Sequence, residues 1–89
     1  MEKRTIVALI ILNRDDVAVK VQKLLTAWGC MIKTRLGIHD GVLDNCTQTG
    51  LLILEMVGED DKIKEFVRKL NLIKGVTAQA LTLTLDLNN

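Results

Sequence analysis

Length, composition and charge are those of one small folded domain. The 89 residues contain 48% hydrophobic side chains and no proline, which excludes a disordered or linker-rich chain and leaves room for a single core. Twelve Lys and Arg residues are balanced by 11 Asp and Glu residues, so the net charge of +1 lacks the basic field typical of proteins that bind nucleic acid or anionic membranes.

The chain begins with a predicted strand and a predicted helix. Residues 5–12 form a continuous apolar run rich in Ile and Val, which is typical of a strand buried on both faces. Asn13 is expected to cap the helix that follows, with Asp16 at its third position, and apolar residues recur at helical spacing as far as Trp28, which we expect in the core. Gly29 is expected to end this helix in the left-handed conformation.

The middle of the chain predicts two strands joined by a long loop. Residues 30–38 alternate apolar and charged side chains, as in a half-exposed edge strand, and Cys30 at their start is expected to be a small buried hydrophobe. Residues 50–57 have apolar side chains at both odd and even positions, so both faces of the segment are apolar, which predicts a second central strand. The segment 37–50 is far longer than the roughly two to five residues that a hairpin needs.

The last part of the chain predicts another helix and another strand. The acidic residues 59–61 favour a helix start, and the apolar stripe that follows ends near Asn71. Residues 76–87 alternate apolar and polar side chains as a strand does. The apolar residues occupy even-numbered positions up to Ala80 and odd-numbered positions from Leu81 onward, and this switch predicts a β-bulge.

This order of elements predicts an α+β fold of the ferredoxin-like β-α-β-β-α-β kind, as one domain over residues 1–89. Right-handed crossovers then place both helices on one face of a four-stranded antiparallel sheet. The other face would stay uncovered, although the first strand is apolar on both sides. Since monomers rarely expose apolar patches above a few hundred Å², we predict a homo-oligomer, a dimer or a tetramer, that forms through the sheet.

The long loop contains the only cluster of metal-binding residue types in the sequence: His39, Asp40, Asp44 and Cys46. Three interpretations remain open, namely ordinary turn residues, a metal site, or a site for another small ligand. A metal site would use His39 and Cys46, because imidazole and thiolate favour zinc, nickel or copper over hard cations. A two-fold axis would double these donors.

Residues that other functions require are missing from the sequence. Trp28 and Phe66, the two large aromatic residues, lie on helical stripes, so we expect no base stacking and no direct nucleic-acid binding. With one histidine and no glycine-rich phosphate loop, we expect no enzymatic activity. No apolar run is long enough to cross a bilayer, and residues 13–16 are charged or polar where a signal peptide has small residues, so we expect a cytoplasmic protein.

Four motifs resemble a known family: IILNR at residues 10–14, RLGI at 35–38, GLLIL at 50–54 and LNLIKGV at 70–76. The sequence resembles the iron-only hydrogenase system regulators, which are small stand-alone ferredoxin-like domains similar to ACT domains and to the C-terminal domain of nickel-responsive repressors. The resemblance implies a hydrogenase-associated regulator in which ligand binding is linked to oligomer formation. The alternative is an assembly subunit without a ligand.

Overall fold

The structure, a computed structural model, describes residues 1–38 and 48–88 of the chain. The elements are β1 Glu2–Leu12, α1 Asp15–Ala27, β2 Ile32–Ile38, β3 Thr49–Met56, α2 Asp60–Asn71 and β4 Val76–Leu85. The sheet is antiparallel with the order β2-β3-β1-β4, so the two strands that are apolar on both parities are the central ones. The predicted ferredoxin-like α+β fold is confirmed, and β2 is an edge strand, as its charges indicate.

One hydrophobic core lies between the sheet and the helices. The largest fully buried side chains are Val7, Leu9, Leu54, Phe66 and Leu70. Helix α1 buries one side chain per turn at positions 17, 21 and 25, and α2 does the same at 63, 66 and 70, which is the stripe that the helical spacing predicts. Trp28 is partly buried against this core, with its ring centroid 5.4 Å from that of Phe66.

The ends of α1 differ from the expectation. The N-cap residue is Arg14 and not Asn13, because the extended residue before the first helical turn lies one position later than the capping pattern indicates. Gly29 is not left-handed either, since the chain continues from α1 into the short 3-10 turn Gly29–Met31 before β2. Among the described residues, the glycines with positive φ are Gly58 at 119° and Gly75 at 95°, both in turns next to α2.

The irregular strand of the sheet is β2 and not β4. Strand β4 pairs with β1 over ten consecutive residues at constant register, so the predicted bulge between Ala80 and Leu81 is wrong. Strand β2 instead shifts its register against β3 between Ile32 and Thr34. The parity change along β4 therefore moves its apolar side chains from one face of the sheet to the other.

Cys30 is exposed, which corrects the expectation of a buried side chain. It lies in the 3-10 turn that precedes β2 and not in the strand itself. Among the described residues, neither helix is long and apolar enough to span a membrane.

Candidate functional site: the open face of the sheet

The ligand residues predicted from the sequence, His39, Asp40, Asp44 and Cys46, lie outside the residues that the structure describes. Their grouping as a metal or small-ligand site stays a prediction. Over residues 1–38 and 48–88, the structure contains no group of three or more His, Cys, Asp or Glu side chains that could hold a metal ion. The site that the structure does describe is the side of the sheet opposite the helices, which we call the open face.

Strand register defines which side chains belong to the open face. Val7 and Leu9 of β1 are buried against the helices, so the intervening positions of β1 and their cross-strand partners lie on the opposite side. The apolar members of the open face are Ile6, Ala8, Ile10, Leu36, Leu51, Ile53, Leu81, Leu83 and Leu85. They come from all four strands, and together they form a continuous apolar surface.

Most of these side chains are accessible to solvent. Ile10 in the central strand β1 is 46% exposed, and Leu36 at the β2 edge is 54% exposed. The three leucines of β4 are between 58% and 63% exposed. Exposed single leucines are normal on a protein surface, but a contiguous group on a sheet face is typical of an interaction site.

The sequence of β4 changes character along its length. Val76 and Ala78 face the helices and are buried, while Thr77 and Gln79 lie on the open face. Beyond Ala80 the pattern is reversed, because threonines occupy the helix side and leucines the open face. Leucines that face only water contribute no burial energy, so this reversal favours a partner that covers the open face.

The open face carries the charged residues Glu2, Arg4 and Glu55, and the last two form an ion pair. The Arg4 guanidinium donates two hydrogen bonds to the Glu55 carboxylate, from Nε to Oε2 and from Nη2 to Oε1, each 2.8 Å long. The Glu55 side chain is only 12% exposed. The hydrogen bond from Arg4 lowers the pKa of Glu55, and the same bond raises the pKa of Arg4. The two charges cancel, so the pair adds no net charge to this surface.

A concave surface lies beside the ends of the long loop. A groove of about 270 Å³ between α1 and the sheet is lined in part by Gly37, Gly50, Val21 and Leu52. Its charged lining residue is Arg35, whose Nη2 donates a 3.2 Å hydrogen bond to Oε1 of Gln22. The groove is mostly apolar with one guanidinium, and it adjoins the segment in which the sequence predicts a ligand site.

Comparison with known proteins supports the fold alone. No family model matches this sequence, and no curated protein matches it. Among solved structures, the chain is similar to an uncharacterized protein from Thermotoga maritima, with a TM-score of 0.81 and 24% sequence identity. The similarity covers 93% of this chain and 100% of that one. The chain is thus a small α+β domain of the ferredoxin-like class, and the hydrogenase regulator family is not confirmed.

Proposed function

We propose that this protein is a small non-catalytic regulatory module that acts by binding a second copy of itself through the open face. The observation that carries this proposal is the apolar open face, whose Ile and Leu side chains are exposed on β1, β2 and β4 and partly exposed on β3. Removing apolar surface from water is worth about 25 cal/mol per Å², so covering this face stabilises an assembly. A two-fold axis achieves this with one surface, because the same patch then serves both subunits.

Electrostatics favour a second copy as the partner. A highly charged face would repel its own copy, but the charges of Arg4 and Glu55 cancel within each subunit. The bidentate hydrogen bonds of this pair are made inside one chain, so both groups keep their partner when water is excluded. This ion pair is therefore compatible with the packing of the open face against a second copy.

The regulatory part of the proposal places a ligand at the loop 37–50. It is supported by the sequence cluster that includes His39 and Cys46 and by the groove beside Gly37 and Gly50. Native mass spectrometry of protein purified from cells tests it, because a bound metal or metabolite adds mass to the assembled chains. Masses at simple multiples of the chain mass would favour the alternative, a cytoplasmic assembly subunit without a ligand.

Charge substitutions on the open face test the assembly itself. Ile10→Lys and Leu36→Lys each place an ammonium group where the proposed partner would exclude water, so sedimentation equilibrium should give a lower mass than that of the unmodified protein. Leu72→Lys is the matched control, because Leu72 is 69% exposed at the end of α2, in the helical layer. This control should keep the mass of the unmodified protein. An Ile10→Lys protein that assembles normally would contradict the proposal.

A further inference from the structure

The outer edge of β4 is closed at one residue by a side chain. The backbone N–H of Ala78 donates a 2.8 Å hydrogen bond to Oδ1 of Asn71, and Nδ2 of Asn71 donates a 3.0 Å hydrogen bond to the carbonyl of Ala78. Asn71 is the last residue of α2. Its amide thus occupies the edge of β4 in the way that a neighbouring strand would.

Beyond Ala78 the same edge is open. In an antiparallel strand, alternate residues direct both backbone groups to the same side. The backbone N–H and C=O groups of Ala78 point away from β1. The same groups of Ala80, Thr82 and Thr84 therefore also point outward. Within the part of the chain that the structure describes, no other backbone or side-chain group hydrogen-bonds to these N–H and C=O groups.

The open stretch also lacks the features that normally protect an edge strand. Strand β4 contains no charged residue, no proline and no register shift over its ten residues. The opposite edge strand, β2, carries Lys33 and Arg35 and a register shift. The two edges of one sheet therefore differ, and β4 is the one suited to pair with another strand.

We propose that β4 pairs with β4 of a second copy, antiparallel around a two-fold axis at Thr82. Thr82 then lies opposite the partner's Thr82, and Ala80 lies opposite the partner's Thr84. All three outward-pointing residues of each chain are satisfied by about six hydrogen bonds. Two four-stranded sheets become one sheet of eight strands.

The contact between Asn71 and Ala78 selects this register. An axis at Leu81 would place the partner's Thr84 opposite Ala78, whose backbone groups are already bound to Asn71. An axis at Leu83 would place Ala80 opposite the partner's Asp86, which lies beyond the end of β4. Only the axis at Thr82 uses every open group and leaves Asn71 in place.

This edge pairing goes beyond the proposed open-face contact, because it depends on backbone groups and not on the apolar side chains. It also enlarges the open face. In this register Leu81 lies beside the partner's Leu83 on the same side of the joined sheet. Edge pairing and face packing together give an assembly with two kinds of interface.

Disulfide trapping tests the register in a full-length protein that carries Cys30→Ser and Cys46→Ser. Added Thr82→Cys should give a covalent dimer under mild air oxidation, because directly opposed residues have Cα atoms about 5.5 Å apart, within the usual disulfide range. Adding Ala80→Cys alone should give no covalent dimer, since the two copies of residue 80 would be roughly 14 Å apart along the strands. The pair Ala80→Cys with Thr84→Cys should restore the covalent dimer.

Two results would overturn the inference. One is a folded Thr82→Cys protein that stays monomeric on non-reducing gels, together with a folded double variant that does the same. The other is cross-linking of the Ala80→Cys protein as efficient as that of Thr82→Cys. Adding Ile10→Lys separates the two interfaces, because it should leave the Thr82→Cys dimer intact while it disrupts the open-face contact. The edge is thus tested even if the open-face proposal fails.

Discussion

At the scale of single residues, the ion pair of the open face is Arg4–Glu55. Its geometry is bidentate, and the Glu55 carboxylate is mostly covered by its neighbours. The lowered pKa of Glu55 means that the folded protein holds the charged carboxylate more favourably than the unfolded chain does. Stability that depends on this pair is therefore present at neutral pH and is lost in acid.

The acid dependence gives a test of this pair. As pH falls from the ordinary carboxyl pKa of about 4.3 through the lower folded-state pKa, the contribution of Glu55 to stability disappears. We expect the thermal midpoint of Glu55→Gln to fall less over this range than that of the unmodified protein. Arg4→Met, which removes the partner, should flatten the profile in the same way. Parallel profiles for all three proteins would show that the pair is energetically silent.

Sequence patterns predict the burial of some residues correctly and fail for others for identifiable reasons. Phe66 and Trp28 were expected in the core from helical periodicity, and both pack there. Cys30 was expected inside because cysteine is usually buried, but the 3-10 turn leaves it exposed. The hydrogen bonds of Asn71 to Ala78 have no sequence pattern, because they arise only when α2 packs against β4.

At the scale of elements, alternation predicts that a segment is a strand but not which face each residue occupies. Ile32 and Leu36 have the same parity in the sequence, yet the register shift of β2 separates them. Ile32 pairs with Met56 and packs against the core, while Leu36 pairs with Ile53 on the open face. Register depends on contacts between distant segments, so alternation within one segment is insufficient.

Because Ile32 and Leu36 lie on different faces, substitution by Thr should lower the free energy of unfolding by different amounts at the two positions. Ile32→Thr should lower the free energy of unfolding by about 1–2 kcal/mol, because it removes apolar atoms from the edge of the core. Leu36→Thr should change it by less than about 0.5 kcal/mol, because that side chain is exposed in a single chain. Urea unfolding of both variants in an Ile10→Lys background measures the effect without the open-face contact. Equal costs would contradict the assigned faces.

At the scale of the whole molecule, the fold could be predicted because the order and length of the elements leave few connections. Strands β1 and β3 were expected to be central from their apolar runs on both parities, and the sheet order confirms this. The same runs predicted an apolar face opposite the helices, and the structure shows Ala8 and Ile10 exposed there and Ile6, Leu51 and Ile53 partly exposed. The ligand residues His39 and Cys46 lie outside the described part of the chain, so their site rests on residue chemistry alone.

The proposed self-association would also account for the number of leucines that β4 places on a solvent-facing surface. Within one subunit, the helices bury one side of the sheet and the leucines of β4 lie on the other. Self-association would give those leucines a partner, and the ion pair of Arg4 and Glu55 would add no net charge to the interface. The central claim is therefore that the functional unit contains more than one chain.

Light scattering coupled to gel filtration at micromolar concentration tests this claim most directly. A molar mass of at least twice the 9.9 kDa of one chain is the predicted result. A uniform mass of 9.9 kDa at micromolar and higher concentrations would contradict the claim, because the apolar open face would then be stable in water without a second copy.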